Sequence, residues 1–115
     1  MKILMVAPDA FPVSSTTGGS VEICIYEIGK RLAEKDQVTI LSRHAKGLPS
    51  IEKNGNLTIV RLPKGPQYLQ DVIREAKHCD WDIIQVDNRP LYIPVLRKHF
   101  PLGKIILNLH SPLHL

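Results

Sequence analysis

Three short polar segments of the sequence have residue types that could contact a ligand. Gly18–Gly19 comes directly before an amphipathic helical segment. Without side chains there, backbone N–H groups at the helix N-terminus could approach a phosphate or diphosphate. Asp87–Asn88 and His110–Ser111 each follow a short apolar run. A Gly-Gly pair is also compatible with a flexible turn that enters a capped helix, so its chemistry depends on where the fold places it.

The elements that must position these segments follow from the hydrophobic pattern. Short apolar runs alternate with helix-period segments, which is the order of a parallel sheet with crossover helices. A stretch rich in Gly, Pro, Lys and Asn, residues 44–56, predicts a long loop. The predicted strands are 2–7, 37–42, 57–62, 82–86 and 104–109, and the predicted helices are 20–35, 67–78 and 92–100.

Two of the predicted helices contain residues with a specific structural expectation. Ser20 is predicted to cap the first helix, and Gly29 within that helix would let it approach the sheet closely. Pro94 falls within the last helix and should either mark its true start or kink it.

A single α/β domain over residues 1–115, with a Rossmann-like open parallel sheet, is the predicted fold. Right-handed crossovers favour the strand order 3-2-1-4-5, with a topological switch between strands 1 and 4. Ligands bind outside the carboxyl ends of the strands at such a switch. The Gly18–Gly19 loop and the Asp87–Asn88 segment should meet there, and His110 and Ser111 end the neighbouring strand.

The composition is that of an ordinary globular protein, with 43% hydrophobic and 23% charged residues. The net charge is +4, but the basic residues are scattered and form no stripe with aromatics, so nucleic-acid binding is not expected. The apolar start of the chain, residues 1–7, is too short for a signal peptide or a transmembrane segment. These features predict a cytoplasmic location.

Several nucleotide-binding motifs are missing from the sequence. The loop after strand 1 has neither GxGxxG nor GxxxxGK[ST], and strand 2 ends in Ser42–Arg43 instead of an acidic residue. A bound NAD or a P-loop is therefore not expected, although an NADP site that uses Arg43 stays open. A flavin is disfavoured because no short Ser/Thr-rich loop follows strand 1. The spacing of the histidines suggests no metal site.

Together these segments resemble the N-terminal domain of the GT4 family of retaining glycosyltransferases, and within it the spore-coat polysaccharide-type members. The matching motifs are MKILMVAP, GGSVEICIYEIGKRLAEK, QVTILS, DIIQVDNRP and KIILNLHS. The resemblance implies a GT-B architecture, with two Rossmann-like halves facing across a cleft. This chain would be a truncated N-terminal half that binds mainly the acceptor, with the donor domain absent, and the isolated chain is expected to be inactive.

The resemblance also implies roles for the polar segments. Gly18 and Gly19 would approach the donor diphosphate. Asn88 and Ser111 are further candidate donor-binding residues. His110 would contact and position the donor sugar. A carboxylate such as Asp87 could orient an acceptor hydroxyl. Family members often carry histidine where this chain has Gln85 and Asp87, so the resemblance itself does not carry a role over to Asp87 or Asn88.

Two functions follow from this interpretation. The first is transfer of a sugar from a UDP- or GDP-linked donor to an acceptor, without metal or cofactor, in cell-surface or spore-coat polysaccharide synthesis. The alternative is a non-catalytic, flavodoxin-like module that binds a phosphorylated ligand. The resemblance also implies that the first domain continues past this point, so the last strand of this chain would be an uncovered sheet edge, which predicts self-association.

Overall fold

A computed structural model describes residues 1–15 and 18–110 of the chain. Over these residues it contains one six-stranded sheet and three helices. The strands are β1 (Lys2–Val6), β2 (Gln37–Arg43), β3 (Ile51–Asn54), β4 (Leu57–Leu62), β5 (Ile83–Asp87) and β6 (Lys104–Asn108). The helices are α1 (Ser20–Leu32), α2 (Tyr68–Ala76) and α3 (Tyr92–His99).

The sheet has the order β3-β4-β2-β1-β5-β6. Its five parallel strands follow the predicted order, with the topological switch between β1 and β5, so the α/β class and the Rossmann-like arrangement are confirmed. The prediction of an unbroken loop over 44–56 is wrong, because β3 forms there and pairs antiparallel with β4. A two-residue turn joins β3 to β4, and Gly55 in this turn has a φ of 60°.

The central strand β1 is buried on both faces of the sheet. Leu4 and Val6 pack in the cluster that contains α2 and α3 residues, whereas Ile3 and Met5 pack in the cluster that contains Ile25 of α1. Alternate side chains of a strand point to opposite faces, so a continuous apolar run suits a strand that helices cover on both sides.

The first helix meets one expectation and contradicts another. Gly29 is buried, and a Cβ there would lie 2.9 Å from Ile40 Cδ1, so the predicted close approach of helix and sheet is confirmed. The predicted Ser20 cap is wrong, because Gly19 is the N-cap residue and Ser20 is the first residue of the helix.

The last helix begins at Tyr92, which places Pro94 in its first turn. Because an N–H in the first turn has no partner within the helix, a proline there loses no hydrogen bond. Pro94 therefore lies close to the true start of α3. No described helix is long and apolar enough to cross a bilayer.

The edge strand β6 leaves apolar side chains in contact with solvent. Ile106, Leu107 and, just beyond the strand, Leu109 are 38%, 36% and 44% exposed. The sequence-based expectation of an uncovered last strand agrees with this exposure.

Candidate functional site

The carboxyl ends of the parallel strands bring the predicted site segments to one edge of the sheet. The β1–α1 loop and the β5–α3 loop line a depression of about 130 Å³ there. Phe11, Gly19 and Glu22 come from the first loop and the start of α1, whereas Asn88 and Arg89 come from the second loop. This is the place that the switch-point rule predicts for a ligand.

The two glycines of the β1–α1 loop have different structural reasons to lack a side chain. Gly18 has a φ of 128°, and a Cβ there would lie 2.9 Å from the Pro12 carbonyl oxygen. A Cβ on Gly19 would lie 2.8 Å from Glu22 Oε1 and 3.0 Å from Phe11 Cδ2. Gly18 therefore allows the backbone conformation, and Gly19 allows two side chains to approach the backbone.

Glu22 is a buried carboxylate beside Gly19, with only 2% of its surface exposed. It is the third residue of α1, so its negative charge lies near the positive end of the helix dipole. The sequence pattern does not single out this residue as part of the site. An acidic side chain in the first helical turn looks like an ordinary favourable charge, and its burial cannot be read from the pattern.

Asp87, the last residue of β5, is fully buried. Its Oδ1 accepts a hydrogen bond from Gln85 Nε2 at 3.1 Å, and its Oδ2 accepts one from Asn108 Nδ2 at 3.4 Å. Oδ2 also lies 2.5 Å from Nε2 of His110, whose side chain is only 11% exposed. The carboxylate is thus placed to hold His110. The hypothesis that Asp87 orients an acceptor hydroxyl stays a prediction.

The contact with Asp87 constrains the chemistry of His110. A ring nitrogen that faces a carboxylate carries the proton, so Nε2–H donates to Asp87 Oδ2. This arrangement leaves Nδ1 for a second hydrogen bond. A neutral imidazole in this tautomer accepts a hydrogen bond at Nδ1.

Asn88 connects His110 to the depression beside Gly19. It lines the depression, and its Oδ1 accepts the backbone N–H of His110 at 3.4 Å. Its own N–H donates to the Asn108 carbonyl oxygen at 2.8 Å. With a φ of 58° it adopts the left-handed conformation, which asparagine tolerates better than most residues. In this conformation Asn88 contacts the end of β6 and also lines the depression beside Gly19.

Arg89 is a second residue that the sequence analysis did not assign to the site. Its Nη2 and Nε lie 3.0 and 3.2 Å from Asp9 Oδ1, and its Nη1 donates to the Asn88 carbonyl oxygen at 2.9 Å. The Asp9–Arg89 pair is partly exposed and joins the two loops across the depression. Burial raises the pKa of the neighbouring Tyr92; the Asp9 carboxylate raises it further, and Arg89 opposes the shift.

The structure therefore brings most of the predicted site residues to one edge. Asp87, Asn88 and His110 form one hydrogen-bonded group, and Asn88 also lines the depression that contains Gly19. Ser111 lies outside the described residues.

Another depression lies at the opposite edge of the sheet. It measures about 640 Å³ and is lined by Met1, Asp36 and Asp82 among others. Its polar groups already bond to one another: the Met1 amino group contacts Asp36 at 2.8 Å, and the Lys2 N–H donates to Asp82 at 2.7 Å. Within residues 1–15 and 18–110, no group of three or more His, Cys, Asp or Glu residues is arranged to hold a metal ion.

Two curated proteins of Bacillus subtilis (strain 168) match almost the whole chain. Spore coat protein SA is 32% identical over 111 residues, which is 96% of this chain and 29% of the relative. The protein named Putative glycosyltransferase YtcC is 29% identical over 111 residues, which is 96% of this chain and 27% of the relative. The chain thus spans less than a third of the length of either relative. A search of protein-family models found no match.

Among solved structures, the fold is similar to that of sucrose-phosphate synthase (tll1590) from Thermosynechococcus elongatus. The TM-score is 0.70 at 18% identity, over 96% of this chain and 33% of that chain. At this level of identity, the likeness shows a shared fold. The resemblance to spore-coat-type glycosyltransferases indicated by the sequence motifs is therefore confirmed by these relatives, each of which the chain matches over about a third or less of its length.

Proposed function

We propose that the chain is the acceptor-side half of a glycosyltransferase that moves a sugar from a UDP- or GDP-linked donor to an acceptor. The name of the relative YtcC supports this activity, and that of spore coat protein SA supports a role connected with the spore coat. The polysaccharide product is part of the proposal. The observation that carries the proposal is the buried Asp87–His110 pair at the switch point, linked through Asn88 to the depression beside Gly19.

His110 is the residue we assign to the donor sugar. Sugar transfer needs groups that stabilise the departing diphosphate and the positive charge that grows at the sugar carbon. With Nε2 held by Asp87, the imidazole presents Nδ1 to a sugar hydroxyl in a fixed orientation. Asp87 is then a positioning residue, since its carboxylate touches His110 and is buried away from solvent.

The charges around the depression favour different parts of the two substrates. Backbone N–H groups at Gly18 and Gly19 could donate hydrogen bonds to the donor diphosphate. The side-chain amide of Asn88 and the hydroxyl of Ser111 could also donate to it. The buried carboxylate of Glu22 would repel a phosphate but accepts hydrogen bonds from sugar hydroxyls. Arg89, at the rim, can balance the diphosphate charge when its exposed pair with Asp9 opens.

The first experiment is calorimetric titration of the full-length protein with UDP, GDP, UDP-linked sugars and GDP-linked sugars, followed by a sugar-transfer assay. We expect His110→Ala and Gly19→Val to weaken donor binding. His99→Ala is the matched control, because His99 is exposed at the far end of α3. Absence of binding in the wild type, or equal binding in all three variants, would favour a non-catalytic role instead.

We expect transfer without metal or cofactor, a cytoplasmic location, a donor-binding half outside these residues, and no turnover by the isolated chain. Self-association through β6 is also expected, because its apolar side chains are partly exposed. Light scattering that shows a monomer at all concentrations would contradict it.

A further inference from the structure

Val13, in the middle of the β1–α1 loop, has both backbone polar groups bonded to side chains of neighbouring strands. Its N–H donates to Ser42 Oγ at 2.7 Å. Its carbonyl oxygen accepts two hydrogen bonds from Arg61, one from Nε at 3.2 Å and one from Nη2 at 2.8 Å. Val13 is itself fully buried. Ser42 on β2 and Arg61 on β4 therefore fix this point of the loop from two sides.

Arg61 is an unusual residue for this task, because it is only 3% exposed. Its Nη1 donates to the Pro49 carbonyl oxygen at 2.9 Å, and its Nη2 lies 3.0 Å from Glu52 Oε1. Burying a guanidinium is expensive, and well-packed apolar residues are often as stabilising as a buried ion pair. The contacts of Arg61 go to loops and to the hairpin strand, so its contribution is to the conformation of those segments.

The fixed point lies close to the glycines in both sequence and space. Pro12, which precedes Val13, has the carbonyl oxygen that a Cβ on Gly18 would approach to 2.9 Å. Arg43 adds a contact earlier in the same loop, since its Nη1 donates to the Ala10 carbonyl oxygen at 3.2 Å. The loop that carries Gly18 is thus bonded to strand side chains at two points before it enters α1.

We infer that Arg61 and Ser42 are positioning residues. They hold the glycine loop, which is the part of the β1–α1 loop that leads to Gly18 and Gly19, in its ligand-binding conformation. The ligand in this inference rests on the proposed function, whereas the holding of the loop does not. Neither residue contacts the depression beside Gly19, so both would act through Val13.

The test compares Arg61→Met, Arg61→Lys and Ser42→Ala with Glu52→Gln as the matched control. The control removes the ion pair of Arg61 but leaves its two bonds to Val13. Amide hydrogen exchange is measured along the chain, with Leu4 in the central strand as the reference for global opening. A hydrogen bond to a charged group corresponds to roughly a ten- to hundredfold change in an equilibrium. We expect exchange in residues 10–19 to rise by about that factor in Arg61→Met, and to stay near the wild-type rate in Glu52→Gln.

Binding of UDP and GDP to the same variants gives the second measurement. A selective rise in loop exchange, with nucleotide binding weakened about tenfold in Arg61→Met and partly recovered in Arg61→Lys, would support the inference. Equal acceleration at Leu4 and in the loop would overturn it, because that result means only global destabilisation. If Arg61→Met does not fold, Ser42→Ala and Arg61→Lys decide the question in the same way. Wild-type protein that binds neither nucleotide would contradict the proposed function, while the exchange data would still decide whether Arg61 holds the loop.

Discussion

The contact between Asp87 and His110 predicts a measurable coupling between the two residues. Asp87→Asn removes the negative charge but nearly preserves the shape of the side chain. Because Asp87 is fully buried and His110 is 11% exposed, solvent screens this contact only weakly. A buried hydrogen bond to a charged group contributes about 1.5–3 kcal/mol. We therefore expect Asp87→Asn to lower the free energy of unfolding by about 2 kcal/mol.

The same substitution should cost less when His110 is absent. In His110→Ala, Asp87 still accepts hydrogen bonds from Gln85 and Asn108, so only part of its role is lost. The expected coupling energy from the double-mutant cycle is about 1–2 kcal/mol, within the usual range for residues in contact. Asp87→Asn combined with His99→Ala is the matched control, and these effects should simply add.

Urea unfolding followed by fluorescence is a suitable assay, since the chain contains a single tryptophan. That residue, Trp81, packs against the core cluster of α2 and α3. With a typical slope of about 1–3 kcal/mol/M, Asp87→Asn should lower the midpoint by about 1 M. Long-range NMR correlations of the His110 ring should show the proton on Nε2 in the wild type. Additive effects of Asp87→Asn and His110→Ala, or a proton on Nδ1, would refute the proposed positioning of His110.

Three further substitutions test the fold around the site. Gly18→Ala, at a φ of 128°, should cost about 1–3 kcal/mol and lower Tm, whereas Gly103→Ala, whose Cβ would lie 3.7 Å from its nearest neighbour, should change Tm little. Gly29→Val would place a Cβ 2.9 Å from Ile40 Cδ1, so chemical unfolding should show a loss of about 1–3 kcal/mol or more. Burial raises the pKa of Tyr68 well above its ordinary value of 10.0. The unfolded state therefore loses the Tyr68 proton at a lower pH than the folded state does. The stability that the protonated Tyr68 contributes is lost as the pH rises above 10.0. Tyr68→Phe should therefore reduce the loss of stability at alkaline pH; an unchanged pH profile would contradict this.

The central part of the fold could be predicted from the sequence because its signals are local and redundant. The apolar run of β1 and the helical spacing of α1 each span several residues, and the handedness of crossovers then leaves few strand orders. The edge strand β3 lacked such a signal, since its four residues, IEKN, are mostly exposed. The Gly55–Asn56 pair was the available indication, because Gly-Asn between two short segments is typical of a tight hairpin turn.

The buried polar residues around the glycine loop could not be predicted in this way. Arg61 lies on the same face of β4 as the buried Leu57 and Ile59, a face that normally has apolar side chains, yet a guanidinium occupies this position with only 3% of its surface exposed. Its burial depends on the Val13 and Pro49 carbonyl oxygens, which approach it from parts of the chain far away in sequence. Periodicity describes one segment at a time, so it gives no information about such long-range partners.

Asp87 shows how the location of a residue can be predicted while its role is not. The parallel topology places the last residue of β5 at the carboxyl edge, next to the strand that ends near His110. Whether a carboxylate there contacts substrate or supports another residue depends on its exposure, which the register alone does not determine. In the structure, Asn108 and Gln85 surround the carboxylate and His110 covers it. Because the enclosed carboxylate contacts His110, we expect sugar binding to depend on the orientation of His110 more than on the charge of Asp87.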